Sequence, residues 1–178
     1  MLFRSPIEIG GYGLFDGTMD GSFRRPRIEG RFTGEQMKAF DVVWGAATGD
    51  VVIENSYANV NDVVIRKGDG TIITNGRYSL GFPRRDGGEE INSIVRLINW
   101  PMVDLKHAFE LDDYDVDGQF SGEFHVYDKY LEPFGFGTMA IVNGVAYGEK
   151  FETAQAGVRL EGEGVRLDNI AVSKGGGR

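Results

Sequence analysis

Cysteine is absent from the 178 residues, so the chain holds no disulfide and no thiolate nucleophile or metal ligand. That excludes the disulfide-stapled class of small secreted domains. Histidine is nearly absent, with two residues, and proline is scarce, with five. No run approaches the roughly 18 consecutive apolar residues of a membrane-spanning helix. Met1-Leu2-Phe3-Arg4-Ser5-Pro6 lacks the basic start and apolar stretch of a signal peptide. Acidic residues outnumber basic ones, 27 to 19. The formal net charge is -8, and Lys and Arg are dispersed rather than gathered into a stripe. With no basic stripe, docking on nucleic acid or on anionic lipid headgroups is not expected.

Glycine is what the chain has in excess. Its 27 residues are about twice average usage, and they stand among β-branched and aromatic residues. Glycine so placed marks turns and bulges between strands, because a disordered linker would lack the Val, Ile, Phe and Tyr between them. The expected fold class is all-β: many short antiparallel or meandering strands with one or two short helices.

An internal repeat organises the sequence. Ala58–Gly70 aligns with Val165–Gly177, pairing Lys67-Gly68-Asp69-Gly70 with Lys174-Gly175-Gly176-Gly177. Upstream, Phe15–Phe23 aligns with Val116–Phe124, pairing Gly17 and Gly21 with Gly118 and Gly122. The two signatures recur in the same order at nearly the same separation. The expected organisation is one continuous β unit over 1–178, built of two copies at roughly 7–81 and 91–177, and part of a longer protein.

Period-2 alternation places one apolar face along each strand. On that face the alternation sets Val51, Ile53, Val63, Ile65, Ile72 and Leu80 in the first copy. In the second it sets Val95, Leu97, Phe120, Phe124, Val126, Met139, Ile141, Val158, Leu160, Val165, Leu167, Ile170 and Val172. Two stretches depart from it. Met37, Phe40 and Val43 or Trp44 fall at helical spacing, which suggests a turn or two of helix over 34–44, with a bulged strand as the alternative. Met102, Leu105 and Phe109 follow Pro101 as a helical stripe, and the natural place for so short a helix is an open end of the sheet. From Val51 to Tyr57 the alternation reads as one unbroken strand.

Candidate chemistry is sparse. Asp113, Asp115, Asp117 and Gly118 match the opening of a calcium loop. The twelfth position is Phe124, however, and a strand follows instead of a helix, so the run reads as a solvated acidic turn. His107 and His125 have no second histidine or cysteine at ligand spacing. No serine sits in a nucleophile elbow, and Gly10-Gly11-Tyr12-Gly13 is not followed by the Lys-Ser/Thr of a phosphate loop. Neither an enzyme nor a cofactor is expected. What remains is the apolar face, which must close on itself or hold a ligand in place of core.

The sequence resembles the TamB/AsmA-like family of the Gram-negative envelope, in its C-terminal TamB-type repeat region. Val116–Phe124, Gly144-Val145-Ala146-Tyr147-Gly148-Glu149-Lys150-Phe151, the closing Val165–Gly177 unit and the helix at Pro101–Phe109 carry the resemblance. It implies an elongated sheet curled into a U-shaped trough, or β-taco, with an apolar interior. It further implies a periplasmic segment of a protein anchored in the inner membrane by a part outside this segment. The implied activity is conduction of phospholipid between the membranes, with acyl chains as the bound partner, together with support of outer-membrane protein assembly and a barrel partner of the TamA type. On that reading the groove is long, smooth and free of buried charge. The alternatives are a structural β-solenoid or adhesin-like spacer with a closed core, and a scaffold whose strand edges pair with nascent outer-membrane β-barrels.

Overall fold

The computed structural model describes residues 10–80, 90–129, 132–162 and 164–175. Ten strands follow one another: β1 (Gly10–Ser22), β2 (Arg25–Ala39), β3 (Val42–Glu54), β4 (Tyr57–Lys67), β5 (Gly70–Ser79), β6 (Glu90–Pro101), β7 (Val116–Lys129), β8 (Glu132–Ala146), β9 (Glu149–Glu161) and β10 (Gly164–Ser173). One helix, α1 (Met102–Ala108), stands between β6 and β7. Each strand pairs with the next in sequence, so the chain forms a single antiparallel meander. Its edges are β1 and β10, and the sheet is open rather than closed into a barrel. The all-β expectation holds, with one helix among the described residues.

Tight two-residue turns make this meander possible. Phe40-Asp41, Asn55-Ser56 and Tyr147-Gly148 all have positive φ at both positions, the geometry whose twist matches that of the flanking strands. Two sequence expectations fail on these turns. No helix forms over 34–44: β2 carries a bulge at Gln36 (φ 50°) and turns at Phe40-Asp41, so the bulged-strand alternative is the correct one. The apparent strand Val51–Tyr57 breaks at Asn55-Ser56. Tyr57 pairs with Glu54 and so lies on the face opposite to Val51 and Ile53. There its ring stacks under Arg77, whose guanidinium carbon lies 3.6 Å from the ring centre, and its hydroxyl donates to Glu90 at 2.7 Å.

Between the two expected copies the sheet is continuous, because β5 and β6 pair without a register break from Thr71–Ile98 to Tyr78–Ile91. The charged loop expected over 82–90 lies outside the described residues except for Glu90. Of the aligned stretches, those on β4 and β10 share their backbone course. Asp62 and Asn169 both take positive φ at a register break, at 48° and 54°. The turn glycines Gly68 and Gly175 follow at 56° and 57°. On β1 and β7 the likeness is looser: Gly118 takes a positive φ and its counterpart Gly17 does not.

Bulges recur at the α1 end of the sheet, among them those at Gln36, Asn99 and Asn143, with the positive-φ glycines Gly11 and Gly118 facing the first and the last. A bulge adds local twist and bends its strand, so a series of them curls the sheet. The exposed N–H groups find side chains. Asp62 N–H donates to Asn75 Oδ1, Asn99 N–H to Ser121 Oγ, and Gly118 N–H to Asp117 Oδ1. The curl is visible in one contact. Trp44 on β3 and Trp100 on β6 stack with centroids 5.7 Å apart, whereas three strand spacings in a flat sheet come to about 14 Å. The face that carries both rings is therefore the inner one.

Candidate functional site

Cross-strand register defines the inner face row by row. One row crosses all ten strands: Gly17, Gly30, Val51, Val60, Gly76, Ser93, Val126, Gly135, Leu160 and Val165. The next row runs Val63, Thr74, Val95, Phe124, Gly137, Val158 and Leu167. Beyond it come Ile65, Ile72, Leu97, Gly122, Met139 and Ala156. Nearest the helix lie Trp100, Phe120, Ile141, Ala154 and Val172. On the other flank, Ile53 lies in a row with Met19, Ile28, Ala58, Tyr78 and Ile91. Every apolar residue singled out from the alternation falls on this face, apart from Leu80, which lies past the end of β5, and Ile170, which sits in the register break of β10.

Glycine lets the aromatic rings lie flat on this wall. A Cβ at Gly17 or Gly30 would come within 2.7–2.8 Å of the Phe15 ring, and one at Gly122 or Gly137 within 2.6–2.7 Å of the Phe124 ring. The glycine positions are thus covered by a ring from two residues along the same strand, at Gly17 and Gly122, or from the neighbouring strand, at Gly30 and Gly137, which keeps the face apolar and shallow.

Burial divides the face in two. At the helix end it is closed. Ile72, Leu97, Trp100, Leu105, Phe120 and Ile141 form one core, with Trp44, Met102, Val116 and Phe151 packed against it. Seven residues are too few for a stable isolated helix, so α1 is held by this packing and by the ion pair of Lys67 Nζ with Asp104 Oδ2 at 2.8 Å. The helix covers an end of the sheet, as its length suggested. Toward the two edges the face is open. Phe15, Met19, Val165, Leu167 and Val172 are all exposed although they share the inner face.

Two features depart from a smooth, uncharged groove. The Lys67–Asp104 pair sits at the closed end, with the Asp104 side chain only 13% exposed. In mid-face, Thr74 Oγ1, Tyr78 OH and Ser93 Oγ lie within 2.7–2.9 Å of one another, and Ser93 Oγ also donates to the Asn75 carbonyl at 3.2 Å. Ser93 is fully buried, and the cluster satisfies its own hydroxyls. The strand alternation carried a signal for it, since Thr74, Tyr78 and Ser93 occupy apolar-face positions; no such signal existed for the Trp44–Trp100 stack.

The outer face is mixed: exposed Leu14, Ile94, Phe134 and Phe136 stand among exposed ion pairs, Arg31–Asp50 at 3.3 Å, Arg96–Glu123 at 3.8 Å, and Arg159 and Arg166 on Asp168 at 3.4 and 3.0 Å. Each pair contributes little to stability at such exposure. A recess of about 650 Å³ opens there beside Tyr127, Phe134, Phe136 and Arg159, where rings and charges are mixed. Lys174 donates to Glu149 and holds its carboxyl below the ordinary value.

The structure does not gather Asp113, Asp115 and Asp117 into a site. Among the described residues there is no group of three or more His, Cys, Asp or Glu side chains placed to hold a metal ion. His107 Nδ1 faces Asp112 at 3.1 Å and His125 Nε2 faces Asn92 at 3.1 Å; neither stands beside a nucleophile. No helix among the described residues is long and apolar enough to cross a membrane. No protein-family model, no curated protein and no solved structure matches the chain.

Proposed function

We propose that the inner face binds phospholipid acyl chains, and that the chain is a segment of an envelope protein that conducts lipid between two membranes. One observation carries this reading. The inner face stays apolar out to both edges of the sheet, where Phe15, Met19, Val165 and Leu167 face solvent instead of a protein core. An acyl chain laid on that surface gains about 0.8 kcal/mol for each CH₂ removed from water, with no need for specific contacts. The rows of Val, Ile, Leu, Phe and glycine suit such a generic contact. The closed end under α1 gives the trough a floor, so acyl chains enter from the open flanks. The resemblance to TamB/AsmA-like repeats adds the location, in the periplasm of a Gram-negative envelope.

Native mass spectrometry of the gently purified chain, with lipid extraction from the same sample, tests this. The expected outcome is co-purified phospholipid of mixed headgroup. A folded, detergent-free chain at its bare mass would instead make the molecule a structural spacer.

A further inference from the structure

Among the described residues the two edge strands of this sheet, β1 and β10, are unpaired on their outer sides, and they match each other. Soluble proteins usually blunt an edge with proline, lysine or a covering segment. Neither β1 nor β10 contains a proline or a lysine, and among the described residues no other strand pairs with their outer edges. The bulge at Asn169 does not disqualify β10 as a pairing strand. β4 carries the same break at Asp62 and is paired on both sides, by β3 and by β5.

We infer that the outer edge of β10 pairs with the outer edge of β1 of a second copy, continuing the sheet from one copy into the next. Three observations point to that partner. The strand number is even, so β1 of a copy set beside β10 in the same orientation runs antiparallel to it, as every neighbouring pair within the sheet does. The row from Gly17 to Val165 crosses all ten strands, so extending it sets Val165 beside Gly17 of the second copy and keeps both apolar faces on one side. That same register fixes the charges. It sets Arg166 directly opposite Asp16 of the second copy on the outer face. Within the chain Arg166 already neighbours Arg159, and Asp16 already neighbours Arg31. The new pair therefore places a carboxylate between cations on both sides. Such a contact uses two different surfaces, so it grows head to tail unless the rotation closes a ring. It does not rest on the lipid reading: a sheet can lengthen with or without acyl chains on its inner face.

The absence of native cysteine makes the register directly testable. The variant carrying Asp16→Cys and Arg166→Cys, oxidised at tens of micromolar as the full chain, is expected to give a non-reducing ladder of dimer, trimer and higher species. An equimolar mixture of the two single variants is expected to give a covalent dimer containing one of each. In the unmodified chain, Arg166→Glu is expected to weaken association roughly fivefold in sedimentation, and addition of Asp16→Arg to restore it. The inference is overturned if the double variant forms no intermolecular species, if its disulfide forms within one chain, or if Arg166→Cys alone links as readily as the mixture. The last result would mean a symmetric β10–β10 contact.

Discussion

At the scale of single residues, space on the inner face is decided by glycine. Gly76 lies in the row that crosses the whole sheet, and a Cβ there would stand 2.5 Å from the Asn92 carbonyl oxygen and 2.6 Å from the Ser93 Cα. Both are backbone atoms of β6, so neither can rotate out of the way as a side chain could. Gly76 does not adopt a positive φ, and its need for glycine is therefore steric rather than conformational. Gly76→Ala must push β5 and β6 apart beside the buried Ser93. The expected cost is about 1–3 kcal/mol, the usual penalty for overpacking, read as a lower denaturation midpoint at unchanged slope. From β3 to β10 the inner face was legible from alternation alone, because a period of two maps directly onto two sides. Tyr57 was assigned to the wrong side for a local reason. Asn55-Ser56 makes a two-residue turn without glycine, and the residues after it lie on the face opposite to the one an unbroken alternation gives, until the bulge at Asp62 restores it.

At the scale of elements, α1 shows what a short helix contributes to an open sheet. Leu105 is its buried residue, inserted among Ile72, Trp100, Phe120 and Ile141. Asp104 faces Lys67 of β4, which pins the helix across the closed end. Leu105→Ala removes most of the apolar contact, and the expected cost is about 2–5 kcal/mol. Because the helix stands by this packing, its amides should lose hydrogen-exchange protection before those of β7 and β8 do. Uniform loss of protection across the sheet would show instead that the helix and the sheet open as one unit. The helix could be read from the sequence because Pro101 precedes a stripe at i, i+3 and i+7. The helix expected over 34–44 arose from a coincidence: the Gln36 bulge and the Phe40-Asp41 turn together place Met37, Phe40 and Val43 at helical spacing within two strands. Single-strand periodicity does not distinguish a bulge followed by a turn from a helical turn.

At the scale of the whole molecule, a face that closes on itself and one that takes a ligand respond differently to a buried charge, and burial tells where to place it. A charge at Ile141 is a poor test, since Ile141 belongs to the closed core beneath α1 and Ile141→Asp should unfold the chain on either reading. Leu167 lies on the same face but on the edge strand, and its side chain meets solvent. Leu167→Asp should leave the circular dichroism spectrum and the denaturation midpoint close to those of the parent chain. If acyl chains occupy the inner face, the same change places a carboxylate in their path, and less phospholipid should co-purify. The curl that sets these two positions apart was not written in the local pattern. It depends on Trp44 meeting Trp100 across three strand spacings and on bulges gathered at one end, which strand-by-strand reading does not bring together. A Leu167→Asp chain that is folded and keeps its full lipid load would mean that the acyl chains lie elsewhere on the molecule. One that unfolds would mean that the edges of the face are covered in solution, and that the apolar rows are core after all.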